Sequence, residues 1–499
     1  MIIDSPSKLN NKSRLRFLFK DSVLYGGAVA LSKAFGLITF PILASYFSIV
    51  DFGKIDYFVV LAGFMAVMFI FGQDSAVARF FYENEDEKER SQLISQSILF
   101  QLLLLLVVLP ILWFSSGWWV KFLVDTNESG RLVKIVILQV PFLLLINFSQ
   151  NLLKWTFLRT KFLTISLGFT VTKLSLLLVA IYGFQIEVEG VLIVNLISSA
   201  VFGILGLYFV RNWLVFPNNF QKIRDMLFYA IPFGMIGLMG AFSPILERSL
   251  TAQLLGVENL GLYAAGIKIT MIIAFIIGAF QTAWGPFSLS IYKEQDAGYT
   301  YNWVLKIFSL AICVLLLLIS LFSHSLINIL APEEYAGASF VVFPLAFGLA
   351  VKSISWITEI GIGISKKSYL NLYGYVAFVG ATIGGIFMLT PVLGLIGVAL
   401  GVLIGHIVKA VISSSLAQRA FPLPWQYTPV IILVISTLAV GLFGVWGDWK
   451  WGFQASFVIN VFGILGIMIL GWALLFSRLE RNSLIQLVKN KYRSIVKNN

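Results

Sequence analysis

Charged residues are scarce in this chain, and their scarcity decides its class. Only 12% of the 499 residues are Asp, Glu, Lys or Arg, whereas 59% are hydrophobic. A soluble domain brings charged residues to roughly 25% of its sequence. The apolar residues here fall in runs of about 20, which as helix cross a hydrocarbon layer of about 30 Å. Because these runs do not alternate with polar residues, they exclude an outer-membrane β-barrel and predict an all-α polytopic membrane protein.

Residues that commonly serve catalysis and metal binding are also few. The chain has one cysteine, Cys313, and two histidines. A single thiol cannot form an intramolecular disulfide. We recognise no phosphate-binding loop, metal-ligand cluster or Ser-His-acid arrangement in the sequence. It therefore predicts neither an enzyme nor a bound cofactor, and leaves H⁺ or Na⁺ as the candidate coupling ions.

The apolar runs predict fourteen spans, and the basic residues orient them. With both termini in the cytoplasm, the cytoplasmic segments carry 24 Lys and Arg, and the external loops carry five. This asymmetry follows the positive-inside rule, so both termini are predicted to be cytoplasmic. The predicted spans are 22–47, 55–78, 93–115, 132–153, 162–183, 190–210, 227–252, 262–286, 303–330, 339–363, 370–390, 395–418, 428–447 and 453–476.

The first hairpin of the chain recurs further on. A shift of 208 residues brings Gly53 onto Gly261 and Gln73 onto Gln281 without a gap. Since six spans make one unit and six is even, both copies enter the membrane from the same side, related by a pseudo-two-fold axis along its normal. The predicted parts are a cytoplasmic N-tail 1–21, an N-terminal six-helix bundle 22–210, a cytoplasmic connector 211–226, a C-terminal six-helix bundle 227–418, helices thirteen and fourteen at 428–476, and a basic cytoplasmic tail 477–499.

Charged residues inside the predicted spans and away from their ends form the candidate site. One buried charge costs about 2.5–3.5 kcal/mol on the insertion scale, so six unpaired cations would cost on the order of 15–20 kcal/mol. The cations are Lys33, Lys173, Arg248, Lys268, Lys352 and Lys409. The residues considered for coupling or pairing are Asp74, Glu247, Glu359 and His406, the last on one helix face with Lys409.

These charges need water or partners. Glu247 and Arg248 are consecutive and so point about 100° apart on a helix; Lys352 and Glu359 stand two turns apart, too far for direct contact. Snorkelling would relieve Arg248, and Lys268 as well. We interpret the set as a water-filled cationic cleft between the bundles, with structural pairing or snorkelling as the alternative for each residue. Such a cleft suits an anionic substrate, since Lys and Arg are the usual partners of phosphate.

Three segments resemble a known family. They are YGGAVALSKAFGLITFPILASYFSIVDFGKIDYFVVLAGF, QDSAVARFF and ERSLTAQLLGVENLGLYAAGIKI. The chain resembles the polysaccharide transporter family, the Wzx-type O-antigen flippases of the multidrug/oligosaccharidyl-lipid/polysaccharide exporter superfamily. That resemblance implies a MATE-like fold and transport of undecaprenyl-pyrophosphate-linked oligosaccharide from the inner to the outer leaflet of the bacterial plasma (inner) membrane.

The resemblance also implies roles and partners. Spans one, two, seven and eight line the cleft in such proteins, which favours Lys33, Asp74, Arg248 and Lys268 for substrate contact. Arg79 matches a basic position at the end of span two, read as a cytoplasmic gate. The implied partners are the lipid-linked oligosaccharide, the bilayer, and a polysaccharide polymerase with its chain-length machinery; nucleic acid is not among them.

Three alternatives remain open. A flippase of another lipid-linked precursor, such as a lipid II-type precursor, would share the fold and the cationic cleft. A MATE-type drug antiporter would take cationic substrates and therefore need an acidic pocket, whereas the charges inside these spans and away from their ends, six basic and three acidic, sum to +3. A membrane enzyme such as a polysaccharide polymerase would normally carry a large external catalytic loop, which the predicted spans do not leave room for.

Overall fold

The computed structural model describes residues 11–123, 129–217, 220–478 and 480–482, without the side chains of 11–23, 29–30, 33–34, 118–123 and 129. These residues form sixteen α-helices and no β-strand. The helices are α1 Asn11–Tyr46, α2 Ile49–Ile70, α3 Gln73–Glu83, α4 Glu87–Leu123, α5 Ser129–Trp155, α6 Arg159–Phe184, α7 Val188–Val210, α8 Gln221–Leu255, α9 Val257–Ile291, α10 Ala297–Leu330, α11 Ser339–Thr358, α12 Ile360–Ile364, α13 Leu370–Leu393, α14 Leu395–Ala420, α15 Tyr427–Trp451 and α16 Phe453–Leu475.

The helices follow the predicted spans. Within the described ranges, thirteen helical segments are long and apolar enough to cross a membrane. The fourteenth predicted span falls in α1, whose described apolar part is Phe35–Tyr46. The prediction of an all-α polytopic membrane protein is therefore confirmed. The predicted basic tail 477–499 lies almost wholly outside the described residues.

Single glycines make the tightest turns between neighbouring helices. Gly256 joins α8 to α9 with φ of 87°, and Gly394 joins α13 to α14 with φ of 55°. Side chains with a Cβ rarely adopt such angles, whereas glycine does so freely. Each turn therefore needs no further residues, and the two helices it joins can pack antiparallel along their length.

The second predicted span is broken into α2 and α3. Phe71 and Gly72 both have positive φ, 38° and 71°, which stops the helix after Ile70 and restarts it at Gln73. At the repeat offset of 208 the matching residues are Ala279 and Phe280, which lie inside the unbroken helix α9. The two copies of this hairpin therefore differ in the course of the backbone at this point.

Corresponding helices of the two halves keep a nearly constant spacing along the chain. We call α1–α7 the first half and α8–α14 the second half. Helices α2 and α9 begin 208 residues apart, and the other corresponding pairs begin 207 to 211 residues apart. The boundaries proposed for the two bundles stay a prediction, but the helix order matches two copies of one six-span unit.

The two halves meet at Gly53 and Gly261, which occupy equivalent positions of the 208-residue repeat. Helix α2 packs against α9, and a Cβ placed on Gly53 would lie 2.8 Å from the backbone nitrogen of Gly261. A residue and its repeat mate touch only near a two-fold axis. At the other end of α2 a Cβ on Gly72 would lie 2.5 Å from the backbone nitrogen of Gly234. The two halves therefore approach backbone to backbone at both ends of this helix.

Replacing Gly53 should weaken the interface between the halves. We expect Gly53→Ala to lower the free energy of unfolding by about 1–3 kcal/mol, because its Cβ would overlap the α9 backbone. Thermal unfolding of the purified protein in detergent measures the change. The matched control is Gly63→Ala in the same helix, where a Cβ meets nothing within 4 Å and should stabilise the helix slightly. Equal melting temperatures for both variants would contradict the close approach.

Candidate functional site

A buried carboxylate joins the two halves. Asp56, two turns into α2, is only 3% exposed. Its Oδ2 accepts a hydrogen bond from Arg248 Nε at 2.7 Å and its Oδ1 accepts one from Lys268 Nζ at 2.6 Å. The guanidinium of Arg248 also donates to the carbonyl of Pro244 at 3.0 Å. We call Asp56, Arg248 and Lys268 the interface triad. Its acid comes from the first half and its two cations from the second.

The triad gives its two cations a partner that the sequence interpretation did not name. Arg248 and Lys268 were expected to snorkel or face a water-filled cleft, but both are ion-paired, which was the alternative left open. Asp56 was missed because it lies near the beginning of a predicted span, where a charge is cheap. One signal was available: at the offset of 208, Asp56 falls on Ala264, so it departs from the repeat as the cations do.

A cavity of about 300 Å³ lies beside the triad, within the second half. Side chains of α8, α9, α11, α13 and α14 form its wall. Five of the predicted site residues line it: Glu247, Arg248, Lys352, His406 and Lys409. In this structure Lys352 and Lys409 line a cavity inside the second half, and the cleft between the bundles predicted for them stays a prediction. Both side chains face the interior of the second half, because helices α11 and α14 turn those faces toward α8 and α13.

Glu359 and Lys409 form a buried ion pair at this cavity. Lys409 Nζ donates to Glu359 Oε1 at 2.9 Å, and the Ser355 hydroxyl donates to the same oxygen at 2.8 Å. The ammonium of Lys409 also lies 5.0 Å from the centre of the Tyr375 ring. Glu359, at the end of α11, is thus paired with Lys409 of α14.

Two further cavity residues have partners of other kinds. Glu247 accepts hydrogen bonds from the hydroxyls of Ser243, at 2.6 Å, and Tyr263, at 2.8 Å. The ring of His406 stacks on Phe378 with centroids 4.6 Å apart. Its Nδ1 has no hydrogen-bond partner among the described residues. The wall therefore presents three cations, the carboxylate of Glu247 and an imidazole nitrogen without a hydrogen-bond partner.

The remaining predicted residues lie elsewhere. Asp74 lies in the first turn of α3 and lines a small polar pocket of the first half with Asn147 and Asn151, so the structure does not bring it to the triad. Lys173 on α6 is half-buried and close enough to Lys268 for their charges to repel. Lys33 lies in α1, but its side chain is outside the described residues.

Arg79 lies on the surface between the halves. Its guanidinium pairs with Glu83 at 2.8 Å, both side chains being half exposed. It also stacks over the ring of Tyr229 in α8, 4.6 Å from the ring centre. Because Arg79 belongs to α3 and Tyr229 to the second half, this contact bridges the halves near Gly72 and Gly234. The gating role predicted for Arg79 is compatible with that position and stays a prediction.

Comparison with known proteins identifies the family. The family model described as "Polysaccharide biosynthesis protein" matches residues 18–291, more than half of the chain. The chain belongs to this family. A Haemophilus influenzae protein described as an uncharacterized membrane protein is 23% identical over 412 residues, which is 77% of this chain and 95% of that protein.

Two solved structures of other proteins have the same fold as this member of the polysaccharide biosynthesis family. The lipid II flippase MurJ in an inward closed conformation gives a TM-score of 0.69 at 16% identity, over 89% of this chain and 98% of MurJ. A multidrug resistance MATE family transporter of the MOP superfamily in an inward-facing conformation gives 0.62 at 16% identity, over 80% and 94%. The predicted MATE-like fold is confirmed.

Removing one charge of the buried pair Glu359–Lys409 should destabilise the protein more than removing both charges. We expect Lys409→Met to lower the free energy of unfolding by about 3–5 kcal/mol, because it leaves a buried carboxylate without its cation. The double variant Glu359→Gln/Lys409→Met should recover most of that loss. Unfolding of the detergent-solubilised protein measures both, and a double variant as unstable as the sum of its single changes would argue against a coupled pair.

Proposed function

We propose that this protein is a flippase that moves an undecaprenyl-pyrophosphate-linked oligosaccharide from the inner to the outer leaflet of the bacterial plasma membrane by alternating access. The cargo would be an O-antigen, capsule or exopolysaccharide repeat unit. The observation that supports this most is the grouping of cations at one place. Arg248 is shared by the interface triad and the cavity, and Lys352 and Lys409 line the same cavity.

The cavity suits the anionic part of such a cargo. Guanidinium and ammonium groups are the usual protein partners of phosphate oxygens, and the planar guanidinium binds two of them at once. A volume of about 300 Å³ stands at the lower end of small-molecule sites. It has room for a diphosphate and not for a whole oligosaccharide. The sugars would therefore need the halves to part, which alternating access provides.

The orientation proposed from the basic residues indicates which contact between the halves faces each side of the membrane. With both termini in the cytoplasm, the junction of α1 and α2 faces outward, and Asp56 lies about 10 Å below that end of α2 at 1.5 Å per residue. The contact between Arg79 and Tyr229 then faces the cytoplasm. The triad would close the outer side and the Arg79 contact the inner side in successive states of the cycle.

Coupling of transport to an H⁺ or Na⁺ gradient is also part of this proposal. Asp74, Glu359 and His406 are the residues proposed to respond to H⁺ or Na⁺, and collapse of either gradient should slow transport if that ion drives it. A transport rate that withstands the loss of both gradients would reject ion coupling. Contact with a polysaccharide polymerase and its chain-length machinery is likewise proposed from the family resemblance.

A second candidate cargo has a specific observation in its favour. The similarity in fold to the lipid II flippase MurJ supports a lipid II-type precursor, which carries the same kind of diphosphate headgroup. A MATE-type antiporter is less favoured, because the cavity wall carries three cations and one carboxylate, Glu247, and a cationic drug would be drawn to an acidic wall instead. The sugar attached to the lipid therefore separates the first two candidates, and the sign of the substrate charge separates the third.

Loss of Arg248 should stop export without removing the protein from the membrane. In cells depleted of the native chain, we expect Arg248→Ala to leave at least about tenfold less lipid-linked oligosaccharide accessible to a membrane-impermeant lectin on spheroplasts, since one charge-assisted phosphate contact contributes about that factor. Immunoblotting of membranes verifies insertion. The matched control is Lys54→Ala, whose ammonium pairs with Asp51 at 3.2 Å outside the triad and which should export normally.

The same assay separates the candidate functions. Normal exposure of the oligosaccharide together with a changed drug susceptibility would reject the flippase in favour of an antiporter. Normal exposure of the oligosaccharide with loss of the peptidoglycan precursor from the outer face would favour the lipid II-type cargo.

A further inference from the structure

We infer that Asp56 is a resident anion that competes with the phosphate groups of the cargo for Arg248 and Lys268, so that headgroup binding releases the second half from the first. The inference rests on the proposed function for the identity of the cargo. The competition itself concerns only residues of the interface triad and an anion with phosphate chemistry.

The first argument is geometric. Asp56 engages one cation with each carboxylate oxygen, at 2.7 Å to Arg248 Nε and 2.6 Å to Lys268 Nζ. A phosphate group also has two or more anionic oxygens, so it can accept one charge-assisted hydrogen bond from each of the same two cations. The N–H groups of Arg248 Nε and Lys268 Nζ that are directed at Asp56 cannot fully serve a second acceptor at the same time. A phosphate that takes them must therefore displace the carboxylate.

The second argument concerns charge. Two cations share one acid, so the triad keeps a net charge of +1. The ammonium of Lys173 acts on Lys268 and the carboxylate of Glu247 acts on Arg248, and these two neighbouring charges offset each other. A monovalent carboxylate thus neutralises the site incompletely, whereas a dianion would neutralise both triad cations. In surroundings of low dielectric constant, that difference favours the ligand with more charge. The site should accordingly prefer diphosphate over a carboxylate of similar size.

The third argument concerns location. Arg248 also lines the second-half cavity, so a released guanidinium has a polar space to enter. Asp56 stands one helical turn beyond Gly53, where the backbones of the two halves touch. The repeat mates of the triad are Phe40, Val60 and Ala264, none of which is charged. No second copy of this ion pair therefore holds the halves when the first is lost.

The alternative role for Asp56 is to position the two cations for the cargo, and the two roles predict opposite signs. We expect Asp56→Asn to bind inorganic pyrophosphate at least about tenfold more tightly than the wild type, because removal of a competing charged acceptor frees both cations. A positioning role predicts weaker binding. Isothermal titration of the full chain in detergent measures the affinity, and equal or weaker binding by Asp56→Asn would overturn the competition.

A matched control exists in the same helix. Asp51 pairs with Lys54 at 3.2 Å near the beginning of α2, outside the triad. Asp51→Asn should leave the pyrophosphate affinity unchanged. Farnesyl diphosphate serves as a second probe, to separate a lipid headgroup from free diphosphate. A gain with both probes supports the competition for a lipid-linked headgroup. A gain with inorganic pyrophosphate alone supports it for free diphosphate, and no gain with pyrophosphate rejects it.

A distance measurement tests the release of the halves and does not depend on the folding of Asp56→Asn. Spin labels on Ser45→Cys of α1 and Glu258→Cys of α9 would flank the interface at the triad end, and both positions are exposed. The native Cys313 is buried and will not react. Added pyrophosphate should shift the wild-type distance to a longer population. Glu359→Gln, which breaks an ion pair inside the second half, should not shift the distance by itself.

An unshifted distance at saturating pyrophosphate would overturn the release of the halves. The failure of the proposed function is distinguishable from this. Tighter binding by Asp56→Asn, combined with normal export in cells depleted of the native protein, would keep the competition and reject the proposed cargo.

Discussion

One carboxylate shared by two cations sets how the halves of this protein meet. Without Asp56, Arg248 and Lys268 would be two buried and unpaired charges, at about 5–7 kcal/mol together on the insertion scale. That is comparable to the whole stability of an ordinary domain. The second half therefore cannot bury this face in lipid or against a neutral partner. Its neutralising group lies on the first half, so the requirement for charge balance also fixes which surfaces pack together.

The pseudo-symmetry of the chain explains why the charges near the interface are not repeated. Close to a two-fold axis a residue lies near its own mate, as Gly53 lies near Gly261. An acid conserved in both copies would face another acid there, and like charges in a buried interface repel strongly. Asp56 is matched by Ala264, which avoids that repulsion. A duplicated scaffold can thus be symmetric in its glycines while its ion pairs must be asymmetric.

Much of this fold could be predicted from the sequence, and much of the site could not. Apolar runs locate helices because each span must be long and apolar on its own. The sequence does not predict in the same way which helix faces meet. Lys409 and Glu359 lie 50 residues apart, and helical periodicity does not say which helices become neighbours. Asp56 was overlooked because a charge near a predicted span end needs no partner, whereas the helix packs it beneath α8 and α9. The break at Phe71 and Gly72 depends on backbone angles that glycine permits but does not require.

Two ion pairs of similar chemistry have different consequences because of where their partners lie. Glu359 and Lys409 both belong to the second half, so any rigid-body movement of the halves carries them together and leaves their 2.9 Å contact intact. Asp56 is on the opposite side of the interface from Arg248 and Lys268, so the same movement must break two contacts. Because separated charges would remain in surroundings of low dielectric constant, the halves can part only if another anion or water takes the place of the carboxylate. Opening at this interface is therefore tied to what occupies the cations, and a dianion that binds them compensates the broken pairs better than water alone.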